Sequence, residues 1–598
     1  MHDGAVAGNA AQRLFDAGYA LHGEGRLAQA LALYEQVLAI EPGHFDALHM
    51  TGVIAYQSKD PQRSVDLIGR ALENNSRDAA AYYNHGVALQ ALGQHTAAAV
   101  SYERAIALKA GYADAHNNLG IALQELGRVD AALQSFERAL ALQPDHVHGH
   151  NNLGNARRAL NHPQAAVECY ERALALAPAY AEAHDNRGVA LADLDSCAAA
   201  LASHERALAL DPGRGGAYYN RGNALRDLRR HECALQCYER AFALAPGDIL
   251  VHINRGNALR ELKRYEAALA AYQQALALDA QHPGAHLNSA LCLLQMGDYA
   301  RGWKEYEWRW REAQTDTDRR DYPQALWLGT PSLEARTLLL HSEQGLGDTL
   351  QFCRYLPLLA RAGAHVLLEV QPPLAPLFAG FEGAALVLAR GTPLPAFDYH
   401  CPLLSLPLAF RTELDDIPLG IPYIRSDAER VSAWSSTLGA KVRPRIGLAW
   451  SGSAKHTNDR NRSIALAHLL PMLSEDIEWI SLQQEVRAAD ASVLAAHPEI
   501  RHYGEQLVNF AETAALLELL DLVVTVDTVV AHLAGAMGKP VWILLPYNSD
   551  WRWLVEREDS AWYPTARLFR QPEIGDWASV MLRVSEELDR RYCTAGAP

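Results

Sequence analysis

Residues 150–160, HNNLGNARRAL, return two 34-residue periods later as residues 218–228, YYNRGNALRDL, and the repeat between them decides the fold of the first half. Gly18, Gly52, Gly86, Gly120, Gly154, Gly188, Gly222 and Gly256 keep that period without a slip, and Ala290 takes the ninth place. Small residues follow twelve positions later, from Ala30 to Ala268, and nineteen positions later, from Ala71 to Ala275, while Pro42, Pro144, Pro178, Pro212 and Pro246 close units. Such a unit reads as two short helices, with small residues where they cross and proline where the second stops. One hairpin cannot bury its own apolar face, so the units must stack into a solenoid.

A second periodicity lies two residues before each of these positions: Asn84, Asn118, Asn152, Asn186, Asn220, Asn254 and Asn288. Asparagine is a mediocre mid-helix residue, about 0.6 kcal/mol worse than alanine, so seven in register need a return. Either each amide bonds the neighbouring repeat, or the row lines the inner wall and grips an extended chain through its peptide groups, whose polarity an amide matches. The pattern resembles the tetratricopeptide repeat over residues 11–316, in nine units. The ladder is similar to that of protein O-GlcNAc transferases, a resemblance that implies a polypeptide held in the superhelix.

The 598 residues are too many for one core. The net charge of −16, with 49% hydrophobic and 21% charged residues, describes a folded acidic protein and argues against one living on nucleic acid or anionic membrane. The eight cysteines form no framework, and Cys233 with Cys237 lacks the partners of a zinc site. No basic-then-apolar leader opens the chain and no run approaches a bilayer span, so a cytoplasmic protein without a membrane span is expected.

The repeat stops after Arg311. The expected organisation is a tail (1–10), the solenoid (11–316), a connector (317–335), a first α/β half (336–442) and a second (443–598) that ends in a helix, Trp577–Tyr592, packing back across the halves. Asp316-Thr-Asp318 has the outline of a metal-binding Asp-x-Asp but lies in a charged loop, and no metal is expected. From Arg336 the chain reads strand (TLLLHSE), glycine-rich turn (QGLGDT), helix, strand (HVLLEV). A similar series begins near Pro444: RIGLAWSGSAK, a helix over Ile464–Leu473, WISLQQ, a helix over Ala511–Leu519, LVVTVD, VVAHLAGAMG and PVWILLP. Apolar runs alternating with helices predict two doubly wound parallel sheets, with ligand in the crevice at the strands' carboxyl ends.

Three loops fall at those ends: Gly345-Leu-Gly347-Asp348; Ser451-Gly452-Ser453-Ala-Lys455 with Arg460 and Arg462 beyond; and Asp527-Thr528, opening the helix that carries His532. Small residues let backbone N–H groups approach a diphosphate, Lys455 adds a point charge and Arg462 a fork, and Asp348 is placed to take the proton of an attacking hydroxyl. Taken singly, each has a plainer reading: Asp348 and Asp527 as helix caps, His532 as a packed ring, Lys455 and Arg462 as solvated charges.

The blocks QGLGDTLQFCRYLPLL and VVTVDTVVAHLAGAMGKPVWIL resemble the signature regions of the lipopolysaccharide heptosyltransferases over residues 336–575. That resemblance implies the two-domain GT-B fold and metal-free, inverting transfer from a nucleotide-diphosphate sugar. It implies Asp348 as base, Lys455 at the phosphates, Asp527, Thr528 and His532 on the donor, and Gln483 or Gln484 near the nucleoside. The chain departs from the family at Val529, where glycine is usual, and at Leu545-Pro546-Tyr547, where Gly-Pro-Thr is usual. Together these readings lead to the expectation of a glycosyltransferase acting on a polypeptide in the repeat groove, with no cofactor beyond its nucleotide-sugar substrate. The alternatives are an inactive scaffold on a decayed transferase fold, or a transferase for a glycan or lipid-linked acceptor.

Overall fold

The computed structural model of the chain describes residues 2–312, 319–454, 456 and 458–592. It divides into two compact units, residues 1–246 and 247–598, so the second unit contains the last repeats together with the α/β region.

Among the described residues the first unit holds fourteen helices, from α1 (His2–Gly23) to α14 (His231–Leu244), paired as hairpins. The glycine of each repeat receives the side chain sixteen residues further on, Ile68 at Gly52 and a ring at the other repeat glycines. A Cβ on Gly86 would lie 2.6 Å from the ring of Tyr102, on Gly120 2.5 Å from Phe136, on Gly154 2.6 Å from Tyr170 and on Gly222 2.5 Å from Tyr238. These rings are fully buried. At Gly188 the ring is His204, whose Nδ1 hydrogen-bonds Asp185 at 2.8 Å, an acid brought in beside the one polar ring of the series. Glycine is therefore required by the close approach of two helices, a backbone freedom being irrelevant inside a helix. Gly120→Ala is expected to destabilise the fold by about 1–3 kcal/mol through overpacking against Phe136. Chemical denaturation checks this, and an unchanged midpoint would refute it.

In the second unit α15 (Ile249–Glu261), α16 (Tyr265–Leu278), α17 (Pro283–Gln295) and α18 (Tyr299–Tyr306) continue the repeat. Asp316 and Asp318 lie outside the described residues. The connector is more than a loop: β1 (Ala325–Leu326) adds an edge strand to the first sheet. With β2 (Thr337–His341), β3 (His365–Val370), β4 (Leu386–Ala389) and β5 (Tyr399–Pro402) it forms an all-parallel sheet of order β1-β5-β2-β3-β4. The second sheet contains β6 (Arg445–Ala449), β7 (Glu478–Ser481), β8 (Ile500–His502), β9 (Leu522–Val526), β10 (Val541–Leu545) and β11 (Ala566–Arg570) in the parallel order β11-β10-β9-β6-β7-β8. Strands buried on both faces read as apolar runs because helices cover both sides. This is an α/β glycosyltransferase-like module of two doubly wound sheets.

Two expectations are corrected. The helix over Ile464–Leu473 is instead two short 3₁₀ turns, Leu466–His468 and Leu470–Met472, since Pro471 cannot continue an α-helix. The final helix, Trp577–Tyr592, does not cross between the halves. Its Val580, Met581, Val584 and Leu588 join a core made by the second sheet alone, with Ile446, Trp542 and Phe569.

Strand order places the site. In each sheet the chain reverses its direction of growth at one seam, between β2 and β5 in the first and between β6 and β9 in the second. Ligands of doubly wound sheets bind at such seams, and the three candidate loops leave the carboxyl ends of β2, β6 and β9.

Candidate functional site

Asp348 lies in the helix Leu346–Phe352 that follows β2. Its Oδ2 accepts the Gly345 N–H at 2.7 Å, closing the turn as a cap, while Oδ1 pairs with a guanidinium the sequence reading did not single out, that of Arg552. Arg552 also donates to Asp550 Oδ1 at 2.9 Å and to Gln351 Oε1 at 2.7 Å, and stacks over Trp551. Burial pushes the Asp348 carboxyl above its ordinary range and Arg552 pulls it part of the way back. The guanidinium itself, despite burial, is held more firmly protonated by Asp550 and Asp348.

Gly347 is committed to packing: a Cβ there would sit 2.6 Å from Cδ2 of His532. That histidine is buried in the helix Val529–Ala536, with Nδ1 3.0 Å from the Tyr563 hydroxyl and its ring stacked on Trp553. Burial first, then Arg552, Arg354 and Arg462, hold it far below the ordinary imidazole value, so the ring is neutral. Thr528 precedes the helix, its hydroxyl 3.2 Å from that of Thr525.

Asp527 carries the largest resolved carboxyl shift of the site. Burial and the neighbouring Asp550 push it up to about 6, against the pull of Arg462 and Arg552. A carboxyl raised above its unfolded value binds its proton more tightly in the fold, so this contribution to stability is present at low pH and lost as pH rises through about 6. Asp527→Asn is therefore expected to melt above the wild type by about 2 °C or more at pH 8, the gap closing towards pH 5. Equal melting temperatures at pH 8 would exclude the strain.

The loop after β6 is braced from within. Gln483 donates to the Ser451 and Glu485 carbonyls at 3.1 and 3.0 Å and accepts from the Trp450 and Ser451 N–H groups, so its amide is fully engaged by backbone. It acts as a strut, following a strand where unpaired loop amides need a partner. Gln484 and Ser453 are exposed, and Lys455 lies outside the described residues. Gly452 leaves room for Arg462, whose Nη2 would be 2.6 Å from a Cβ there; Arg462 Nη1 donates to the Asp527 carbonyl at 3.0 Å. Arg487, also unforeseen, ties the loop through the Gly452 carbonyl and Asp459.

Several buried donors around these carboxylates make no hydrogen bond within the protein: Arg462 Nε, Ser451 Oγ and Gln351 Nε2. Trp553 Nε1 leans towards Asp527 without full hydrogen-bond geometry. Buried donors are normally satisfied, and these stand on the helix after β2 (Gln351) and on the loop after β6 (Ser451, Arg462).

In the first unit the asparagine ladder is an inter-repeat tie. Asn84 Nδ2 reaches His49 Nε2 at 2.9 Å, Asn118 donates to the Tyr83 hydroxyl at 3.1 Å, Asn152 to Asn117 Oδ1 at 3.1 Å, Asn186 to Asn151 Oδ1 at 3.0 Å and Asn220 to Asp185 Oδ1 at 3.3 Å. Each amide thus binds a side chain thirty-five residues back, and the amides remain half-buried. In the second unit Asn288 donates to its own helix, at the Gly284 carbonyl, and Asn254 is likewise half-buried. A hollow of about 400 Å³ opens beside Asn118 and Asn152, walled by Tyr83, Asp114, Tyr180 and Glu182.

Tetratricopeptide repeat families match residues 21–84, 111–179, 151–214 and 215–248, with a further TPR repeat family at 88–127 and 256–297. Glycosyltransferase family 9 (heptosyltransferase) matches residues 506–550. The order is tetratricopeptide repeats, then a glycosyltransferase family 9 segment. That segment spans β9, the His532 helix and β10, and ends at Asp550, two residues short of Arg552. Protein FlbA of Caulobacter vibrioides is 29% identical over 331 residues, 50% of this chain and 54% of that protein, so the chain spans about half the length of this curated relative. Among solved structures, the TPR protein YrrB is 26% identical over 31% of this chain and 96% of its own, with a TM-score of 0.27. The APC/C hetero-tetramer Cut9-Hcn1 is 16% identical over 44% and 52%, with a TM-score of 0.38. With scores this low, the fold assignment rests on the chain's own repeats and sheets. No helix among the described residues is long and apolar enough to cross a membrane.

Proposed function

We propose that this chain transfers a sugar from a nucleoside diphosphate donor to a side-chain hydroxyl of a polypeptide held by the repeats. The observation that carries the reading is the set of buried donors without a partner on the helix that carries Asp348 (Gln351) and on the loop after β6 (Ser451, Arg462), the latter joined to the Asp527 carbonyl. The donor diphosphate lies against the Ser451–Arg462 loop and the start of the His532 helix, where Arg462 and Lys455 neutralise its charge. Asp348, as carboxylate, takes the acceptor hydroxyl's proton. The acceptor oxygen forms the new bond to the anomeric carbon, the carbon–phosphate oxygen bond breaks, and the nucleoside diphosphate leaves with inversion at carbon. Leaving-group charge is met by fixed cations and N–H groups, without a metal ion. Neutral His532 packs the start of the helix and brings no competing positive charge. The ladder amides from Asn84 to Asn220, whose N–H groups hold neighbouring repeats, present their oxygens to peptide N–H groups of the acceptor. A cytoplasmic site of action fits a nucleotide-sugar substrate.

The test is a thermal-shift panel of UDP-GlcNAc, UDP-glucose, GDP-mannose, dTDP-rhamnose and ADP-heptose on the wild type and Lys455→Ala. A donor at 100 times its dissociation constant stabilises by about 2.7 kcal/mol. A shift with one donor, lost in the variant, supports the reading and names the donor class. No shift with any, confirmed by titration calorimetry, would leave the seams without a sugar-nucleotide role.

A further inference from the structure

Pro546 and Tyr547 follow β10, in the stretch Leu545-Pro546-Tyr547 where the resemblance above departs. In this structure that loop is engaged by the repeats. Lys263 Nζ, in the turn between α15 and α16, sits 3.8 Å over the Tyr547 ring. The Tyr265 hydroxyl donates to Asn548 Oδ1 at 3.1 Å, and Gln295 Nε2 donates both to Asn548 Oδ1 at 3.0 Å and to the Ser549 carbonyl at 2.6 Å. From the other side Arg570 donates to Ser549 Oγ at 2.6 Å, and Gln571 Oε1 takes the Tyr547 N–H at 3.1 Å. Gln295 and Ser549 are buried, so these bonds are shielded from water and geometrically demanding.

The residues that follow are Asp550 and Arg552. Asp550 Oδ1 accepts the Arg552 backbone N–H at 3.0 Å and its Nη1 at 2.9 Å, which aims the rest of the guanidinium at Asp348 and Gln351. A single covalent stretch of five residues thus joins the repeat contact to the cation on Asp348. Resting on the transferase reading above, we propose that the last repeats are part of the transfer site: Tyr265 and Gln295 are positioning residues that, through Asn548 and Ser549, set the Asp550–Arg552 clamp on Asp348. On this account the solenoid does more than present an acceptor. It supplies the rigid wall against which a loop of the transferase is held.

The groups acting on Asp348 come from several elements: Arg552 and Asp550 from this loop, His456 from the loop after β6, and Tyr306 from α18, while Arg462 and the Arg552 cation act on Asp527 and His532 a step further out. Arg552 is the cation in contact, so loosening its loop removes the main pull that opposes burial at Asp348.

The experiment uses the full chain carrying Gln295→Met, and Tyr265→Phe as the milder change that keeps the ring. Hydrogen–deuterium exchange needs no ligand. Peptides over 546–553 are expected to exchange about tenfold faster, and so are peptides over 345–352, which neither substituted residue touches. Faster exchange confined to 546–549, or none, overturns the proposal whatever the enzyme does. Turnover of the donor selected by the panel is then followed against pH. The acid limb of kcat/KM is expected to move to higher pH, with kcat reduced about tenfold and donor affinity retained. A lower kcat with an unmoved acid limb would reduce Tyr265 and Gln295 to plain scaffolding. If the panel selects no donor, the transferase reading fails while the exchange result still decides the coupling.

Discussion

Asp348→Asn is expected to lower transfer by about a thousandfold, the middle of the range for a general base, while the donor still binds. Asparagine keeps the shape of the side chain and one oxygen for Arg552, yet it cannot take a proton at neutral pH. The amide presents an N–H to the Gly345 N–H that Asp348 now caps at 2.7 Å, so a modest loss of stability accompanies the loss of turnover. Steady-state kinetics with the selected donor, beside calorimetric titration of the same donor, separate the two effects. Turnover within tenfold of the wild type would remove Asp348 from the mechanism and leave it as the helix cap that its bond to Gly345 also makes it.

Arg309→Met is expected to destabilise the second unit by about 3–5 kcal/mol, the usual result of stranding one member of a buried ion pair. The Arg309 side chain is 0% exposed and that of Glu343 1%. Nε and Nη2 fork onto the two Glu343 oxygens at 3.0 and 2.8 Å, Nη1 reaches Glu307 at 2.7 Å, and Nη2 also reaches Ser405 Oγ at 2.8 Å. Burial already raises the Glu343 carboxyl and Arg309 opposes it. Without Arg309 the carboxyl rises further, so the variant's deficit grows as pH rises and shrinks as Glu343 protonates at low pH. Melting at pH 5 and pH 8 reads this directly, and Arg309→Met with Glu343→Gln should recover most of the loss. A double variant no better than the single one would show that the guanidinium's other partners carry the effect. The position matters because Arg309 follows α18 and Glu343 follows β2. In the same region Tyr299, Trp303 and Tyr306 of the repeats share one core with Phe352, Trp551 and Trp562 of the sheets. The last repeats and the two parallel sheets accordingly share one compact unit, which is why the break at residue 311, where the periodicity stops, is not where the compact units part.

Periodic features were legible in the chain because their partners are local. The 34-residue glycine series, the asparagine ladder and the alternating strands and helices each follow from contacts between neighbours along the sequence. Even there, the ring packed on most of the glycines went unread although it stands in the sequence at a constant offset, as Tyr102, Phe136, Tyr170, His204 and Tyr238. A glycine pattern suggests turns before it suggests a ring-filled helix crossing. The ladder shows the reverse limit. Its spacing was plain, but whether its amides face a ligand or the next repeat depends on a displacement of thirty-five residues, which only the stacking of hairpins sets.

The loops that bear Asp348, Ser451 and Asp527 were placed at strand ends by pattern alone, and the strand order then brought them to the two seams. Arg552 could not be found that way. It is one arginine among many, lies beyond the matched family 9 segment, and has no spacing relation to Asp348, 204 residues away. Nor could Gln483 be told from a ligand contact, since a glutamine at a strand end serves a nucleoside and a backbone equally well. The sequence by itself determined the repeats, the two parallel sheets and the loops that meet at their seams, because hydrophobic periodicity and turn chemistry act over a few residues. Only the tertiary structure decided which cation holds Asp348, and that repeat side chains brace the loop carrying that cation. Buried charges and amides must find partners wherever the packed chain brings them, and that demand leaves no period in the sequence.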